Sequence, residues 1–146
     1  MAKRILRSLI WLLGFISVLL SFSSCTPLQQ AAEQGNARAQ YKLAHKYENG
    51  DGLPQNYAEA FKWYKKAAEQ GNTDAQLCLA YMYCNGKGTA KNYIEGYVWL
   101  SIASAQGDKE AKYQLSILEV EMSSEQLAEA QQKAALLWEK IHKTKK

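Results

Sequence analysis

The side chains able to perform chemistry are few: two histidines, three cysteines and carboxylates drawn from 14 acidic residues. Hydrolysis or group transfer needs a nucleophile, a base and a stabilising donor brought to one point. No nucleophile motif such as Gly-x-Ser-x-Gly is present. His45 and His142 lie far apart in the chain, and neither has His, Cys or carboxylate neighbours at the helical spacing that a metal centre needs. His45 and Glu48 stand three residues apart, which on a helix is a solvated or partner-facing pair rather than part of a ligand set. No catalytic residue, cofactor-binding residue or metal ligand is therefore expected, and the chain reads as a non-enzyme.

Cys78 and Cys84 are six residues apart, so on one helix they sit about 240° apart around it and about 9 Å apart along it. A disulfide between them would break that helix. Two reduced, partly buried thiols are the reading, with pairing between molecules as the alternative. Cys25 belongs to a different kind of segment. Lys3, Arg4 and Arg7 precede an uncharged apolar run over residues 9–20, and Ser21-Phe22-Ser23-Ser24-Cys25 follows; this is the order of a secretory signal peptide. Phe22-Ser23-Ser24-Cys25 also resembles the lipobox of bacterial lipoprotein precursors, although Leu is usual where Phe22 stands. The resemblance implies a signal peptide over residues 1–24 and a lipid on Cys25. Cleavage without lipidation, or retention of residues 5–22 as an uncleaved anchor, are the alternatives. Thr26 in place of Asp after the cysteine favours, by the same resemblance, the outer membrane. The expected location is the periplasm, with the membrane reached through the N-terminal lipid or signal anchor.

The formal charge of +4 includes the three cations of that leader, whose removal leaves about +1. The basic balance is therefore mostly a targeting signal, and no basic stripe interleaved with aromatics remains to bind nucleic acid. Lys140, Lys143, Lys145 and Lys146 read as a solvated helix end that complements the helix dipole.

The positioning elements come from a repeat. Residues 35–70 laid over 71–106 give sixteen identities, and Gly35-Asn36, Gly71-Asn72 and Gly107-Asp108 share one phase. A unit of that size cannot close a core alone, so successive units must stack. In the first unit Ala39, Leu43, Ala44 and Tyr47 mark a short amphipathic helix over residues 37–48, and Asn49-Gly50-Asp51-Gly52 with Pro54 reverses the chain. A second helix over 57–70 carries Tyr57, Ala60, Phe61, Trp63, Tyr64, Ala67 and Ala68 on a broad apolar face. Small residues let helices approach and large aromatics fill the gaps, so Trp63 and Trp99 are expected in the core.

The string from Ala39 to Asn72, AQYKLAHKYENGDGLPQNYAEAFKWYKKAAEQGN, resembles the Sel-one-like repeat, a relative of the tetratricopeptide repeat. The family pattern falls on Ala39, Leu43-Ala44, Tyr47, Gly50 and Gly52, Asn56, Glu59-Ala60, Trp63-Tyr64, Lys66-Ala67-Ala68 and Gly71, with Ala44 and Ala80 standing where Gly is usual. The resemblance covers residues 35–107 and implies an all-α fold, a short right-handed alpha-solenoid of about three helix-turn-helix repeats. The organisation expected is a signal peptide (1–24), a short linker (25–34), repeat one (35–70), repeat two (71–106) and a degenerate third repeat with a capping helix and basic tail (107–146). The third unit keeps Ala111 and Leu115 but has Glu119 in the tyrosine position and lacks the Gly-x-Gly turn. Ser123 with Gln126 forms a capping-box pair, and Met122 with Leu127 a hydrophobic staple. The helix that follows should cover the open end of the stack with Leu127, Ala130, Ala134, Leu137, Trp138 and Ile141.

Positions that differ between the repeats are where a scaffold places its specificity. On the first helices, Arg38, Tyr41, His45 and Glu48 form one stripe at steps of three and four, continued by Asp74, Leu77, Tyr81 and Cys84 and then by Glu110, Tyr113, Ile117 and Val120. By analogy with tetratricopeptide arrays this stripe lines the concave face and binds a protein partner; Tyr41, Leu77 and Tyr113 serve equally well as packing between neighbouring first helices. The function expected is a protein-protein interaction scaffold or adaptor of the bacterial cell envelope. The alternatives are a peptidoglycan- or glycan-linked binder or hydrolase, and simple self-association.

Overall fold

The computed structural model of the chain describes residues 26–143, which form seven helices with no strand among them. They are α1 (Pro27–Glu33), α2 (Ala37–Asn49), α3 (Tyr57–Glu69), α4 (Thr73–Asn85), α5 (Tyr93–Ala105), α6 (Lys109–Glu121) and α7 (Ser124–Lys143). The arrangement is an all-α helical repeat in which α1 to α5 each pack on the next helix, while α7 packs on α5. The signal peptide expected over residues 1–24 and the lipid expected on Cys25 fall outside the described residues.

The sequence dictates each boundary. A helix leaves its first backbone N–H groups without partners, and a short polar side chain just before it supplies one. Asn36, Asn72 and Asp108 do this for α2, α4 and α6, accepting from the N–H of Ala39, Ala75 and Ala111 at 2.9, 2.8 and 2.7 Å. Asn56 and Asn92 cap α3 and α5 in the same way, each at 3.1 Å.

A glutamine fixes how units join. Gln76 on α4 is fully buried. Its amide donates to the carbonyl of Ala68 at the end of α3 (3.1 Å), and its side-chain oxygen accepts from Gln106 just past α5 (2.7 Å). One side chain thus ties together the ends of three helices with no polar atom left over. Thirty-six residues earlier, Gln40 repeats the arrangement with Ala32 (3.0 Å) and Gln70 (2.7 Å). The next place in the series is Lys112, and the clamp ends there.

That geometry corrects the linker expected over 25–34. Helix α1 stands to α2 as α3 stands to α4: Gln40 reaches the carbonyl of Ala32 as Gln76 reaches that of Ala68, and the N–H of Asn36 bonds to Ala31 as that of Asn72 bonds to Ala67, both at 3.1 Å. Thr26 caps α1, accepting from Gln29 N–H at 3.2 Å, and Pro27 opens its first turn. The segment is therefore the closing helix of a preceding partial unit. Ala32, Ala39 and Leu43 form a small core against it, with Leu28, Leu53 and Trp63 around them.

The main core runs through α2–α7. Trp99 is buried, whereas Trp63 is half-buried with the Lys66 ammonium over its ring at 4.0 Å. Between α3 and α4, Phe61 meets Tyr83 edge to face at 5.1 Å; at the matching junction of α5 and α6, the Tyr97 hydroxyl donates to Glu119 at 3.1 Å. Two close approaches depend on glycine. Gly88 (φ +70) lies so near the Tyr57 carbonyl that a Cβ would overlap it, and a Cβ on Gly96 would fall on the Cys84 sulfur.

The third unit differs from the first two. Only Met122 and Ser123 separate α6 from α7, and the capping box forms, with Ser123 N–H donating to Gln126 at 3.1 Å and Gln126 N–H to the Ser123 hydroxyl at 3.2 Å. The short connection starts the last helix early and lays it on α5. Ala130, Ala134 and Ile141 are buried there, with Leu127, Leu137 and Trp138 half-buried. The expectation that α7 covers the open end is thereby corrected: on α6, Tyr113 is 61% and Val120 86% exposed.

Candidate partner-binding face

Helices α2, α4 and α6 carry the variable stripe. Their caps and glutamine clamps hold them in one phase, so residues 36 apart fall at equivalent places. Arg38, His45, Asp74, Tyr81, Glu110, Tyr113 and Ile117 are exposed, while Tyr41, Glu48 and Leu77 are half-buried. Tyr41 and Leu77 pack against the core and thus take the packing role. The Tyr41 ring lies 5.8 Å from that of Tyr64 and 6.4 Å from that of His45. Tyr113, the equivalent position on α6, has no following first helix to cover it.

Two clefts, each of about 240 Å³, lie on this face. The first is bordered by Glu48 of α2, by Cys78, Tyr81 and Asn85 of α4, and by Lys87 of the following loop. The second is bordered by Tyr81, Cys84 and Asn85 of α4, by Lys91 and Tyr93, and by Gln114, Ile117 and Glu121 of α6. Tyr81 and Asn85 belong to both, so the clefts adjoin across them. Tyr81 is itself steered by its hydroxyl, which donates to Glu110 at 3.0 Å.

Electrostatics make this a hydrogen-bonding surface rather than a reactive one. Burial, followed by the neighbouring Cys78 and a hydrogen bond given to Glu48 at 2.7 Å, pushes the Tyr64 hydroxyl far above its ordinary range. Burial raises Tyr41 too, with Cys78, Asp74 and Glu48 adding to it, and it raises Tyr81, reinforced by Glu110. The Glu110 carboxyl is lowered by hydrogen bonds from Gln114 and Tyr81. Burial pushes Cys78 and Cys84 up to about 11, the nearby Lys91 partly opposing this for Cys84. Both free thiols are protonated at neutral pH, and a thiol is a poor nucleophile until it ionises. Among the described residues no group of three or more His, Cys, Asp or Glu is placed to hold a metal ion. His45 instead shares a hydrogen bond with Asn49 at 3.0 Å.

Sequence reasoning missed Tyr64, Cys78, Gln114, Lys87 and Lys91 as parts of this face. Lys42, Cys78 and Gln114 form a second variable column beside the stripe, 36 residues apart, and that column was the available signal. Lys87 and Lys91 arrive from a loop and carry no periodic mark.

No curated protein matches the chain. Among solved structures, it is similar to a protective antigen of uropathogenic Escherichia coli strains displaying an SLR fold (29% identity, TM-score 0.76), covering 78% of this chain but 25% of the antigen. It is similar to a Sel1 repeat protein from Oxalobacter formigenes (38% identity, TM-score 0.60), covering 61% of this chain and 67% of that one. It is also similar to cysteine rich protein B of Helicobacter pylori (28% identity, TM-score 0.58), covering 60% and 66%. The chain thus spans a quarter of the antigen's length and about two thirds of the other two. The Sel1 repeat model matches residues 28–36, 37–72 and 73–108, the first stretch being the end of α1 and its turn. With more than half of its residues in that pattern, the chain belongs to the Sel1 repeat family.

Proposed function

We propose that this protein is an interaction scaffold that binds a protein partner in the two adjoining clefts across Tyr81, on the face made by α2, α4 and α6. Sel1 repeat proteins act as protein-protein interaction scaffolds. The observation that carries the reading is that Glu48, Cys78, Tyr81, Lys87, Lys91 and Ile117, which differ between units, line the clefts around the shared Asn85 and Tyr93, while the clamps are built from positions shared between the first two units. An aromatic ring flanked by carboxylates, ammonium groups and amides suits an extended peptide segment, whose backbone needs donors and acceptors and whose side chains need apolar contact. In this reading the protein works in the bacterial cell envelope, exported by its leader and anchored through a lipid on Cys25. The sequence order of residues 3–25 is the support for that location.

The test is affinity purification after crosslinking in the producing cell, comparing the wild-type chain with Tyr81→Ala. Tyr81 is exposed, so helix content by circular dichroism should not change, while specific partners should be lost. An identical partner set in the variant would remove the assignment. Mass spectrometry of the mature N-terminus reads Cys25 directly.

A further inference from the structure

We infer that copies of this chain associate head to tail, with the α6 end of one seated on the α1–α2 end of the next. The contact lies at the ends of the array; Ile117 is shared with the second cleft, whereas Val120, Arg38 and Lys42 border neither cleft.

Inside the molecule, successive first helices face one another across the clefts. Glu48 of α2 borders a cleft with Cys78, Tyr81 and Asn85 of α4, and the Tyr81 hydroxyl of α4 donates to Glu110 of α6. Thirty-six residues beyond Tyr81 and Cys84 stand the positions that α6 offers to a following helix, Ile117 and Val120. Ile117 is 39% and Val120 86% exposed, and Tyr113 beside them is also open. These three account for most of the large apolar side chains exposed among the described residues. Because α7 lies on α5, no described residue covers them.

The other end is shaped to receive them. The counterparts of Asp74, Cys78 and Tyr81 on α2 are Arg38, Lys42 and His45. They face outward beside a depression of about 330 Å³ lined by Leu28, Tyr41, Lys42, His45, Lys46 and Asp51, the place a preceding first helix would occupy. Leu28 and Tyr41 are the apolar part of its lining, and the ammonium groups of Lys42 and Lys46, with His45 and one carboxylate, Asp51, are the polar part. At the exit, Val120 stands between Glu119 and Glu121. A second copy therefore brings an apolar ridge flanked by carboxylates to an apolar depression flanked by ammonium groups. It continues the junction already used between α2 and α4 and between α4 and α6. Such a contact joins two different surfaces, so it propagates unless the rotation closes a ring. Its charged rim should weaken with salt.

The experiment is sedimentation velocity on the chain as cells expressing the full sequence yield it, across micromolar to millimolar concentration. Two variants at exposed positions are compared with it: Val120→Glu, which breaks the exit, and Arg38→Glu with Lys42→Glu, which breaks the entrance. Circular dichroism should show the same helix content in all three. Wild type should grow past dimer as concentration rises, each variant alone should stay monomeric, and an equimolar mixture of the two should reach dimer and stop, since one intact exit meets one intact entrance. A monomeric wild type overturns the proposal. So does an entrance variant that still dimerises, which would mean two-fold pairing of α6 with α6, or a mixture that stays monomeric.

Discussion

Replacing Gln76 with leucine isolates the contribution of the clamp. The side chain is fully buried and makes two hydrogen bonds, to Ala68 at 3.1 Å and from Gln106 at 2.7 Å. Leucine fills a similar volume, so the packing change is small. The Ala68 carbonyl keeps the N–H of Gly71 at 2.9 Å, and Gln106 is exposed and can turn to water, so neither released group is stranded. What remains is the net value of two hydrogen bonds, about 1 kcal/mol each, or about 2 kcal/mol in all. For a domain of this size that lowers Tm by about 8 °C. Urea denaturation should show the midpoint falling with an unchanged slope. Gln106→Leu should cost at least as much, about 1–3 kcal/mol, because it leaves the fully buried Gln76 side-chain oxygen without its donor, and the double variant should fall well short of the sum of the two because both remove the same bond. A Gln76→Leu protein within about 0.5 kcal/mol of wild type, or full additivity in the double variant, would refute the clamp.

Three further outcomes follow from close contacts and burial. Gly88→Ala should destabilise by roughly 2 kcal/mol or more, since φ +70 and overlap with the Tyr57 carbonyl act together, whereas Gly52→Ala, at φ +74 with nothing nearby, should cost only about 1 kcal/mol; the same urea titration compares them. Gly96→Ala should cost about 1–3 kcal/mol by overpacking against the Cys84 sulfur, and Cys84→Ala in the same chain should recover most of it; failure to recover would deny the contact. The thiols make stability fall in alkali: their folded values of about 11 lie above the usual 9.0, so the folded state holds protons that the unfolded chain releases. The stabilisation is complete below about pH 9 and is lost as pH rises through 11. Thermal melts of Cys78→Ala with Cys84→Ala should flatten that slope, and alkylation of wild type near neutrality should be slower than for free cysteine by about two orders of magnitude.

The helices were legible because their signals are local and repeated: an Asn or Asp cap, a Gly at the end and apolar residues at steps of three and four. Ser123 and Gln126 spelled out a capping box that forms as read. Helix α1 was harder, since seven residues are too few to show a period. Its mark was a different one, the string Ala-Ala-Glu-Gln-Gly-Asn, present at 31–36 and again at 67–72. The resting place of α7 depends on a two-residue connection and on α5, a tertiary matter with no periodic trace. On the proposed binding face, the exposed stripe was visible as variation between repeats. Tyr64 and Cys78 join it because burial and hydrogen bonding bring neighbouring helices together there, and Gln40 and Gln76 escaped notice because a buried amide looks like a surface residue in a linear pattern.

The glutamine clamp also bears on how such a chain changes length. Every joint it makes is written within one span and answered in the next: the cap at Asn36 returns as Asn72, the carbonyl of Ala32 as that of Ala68 and the amide of Gln70 as that of Gln106, each 36 residues on. An in-frame duplication of residues 73–108 would therefore arrive with both halves of each joint already matched. Lengthening or shortening by any other number would separate donor from acceptor at the joint it interrupts. Growth by whole modules is the inheritance this architecture permits, and Lys112, which has no amide to offer, marks where that inheritance stops.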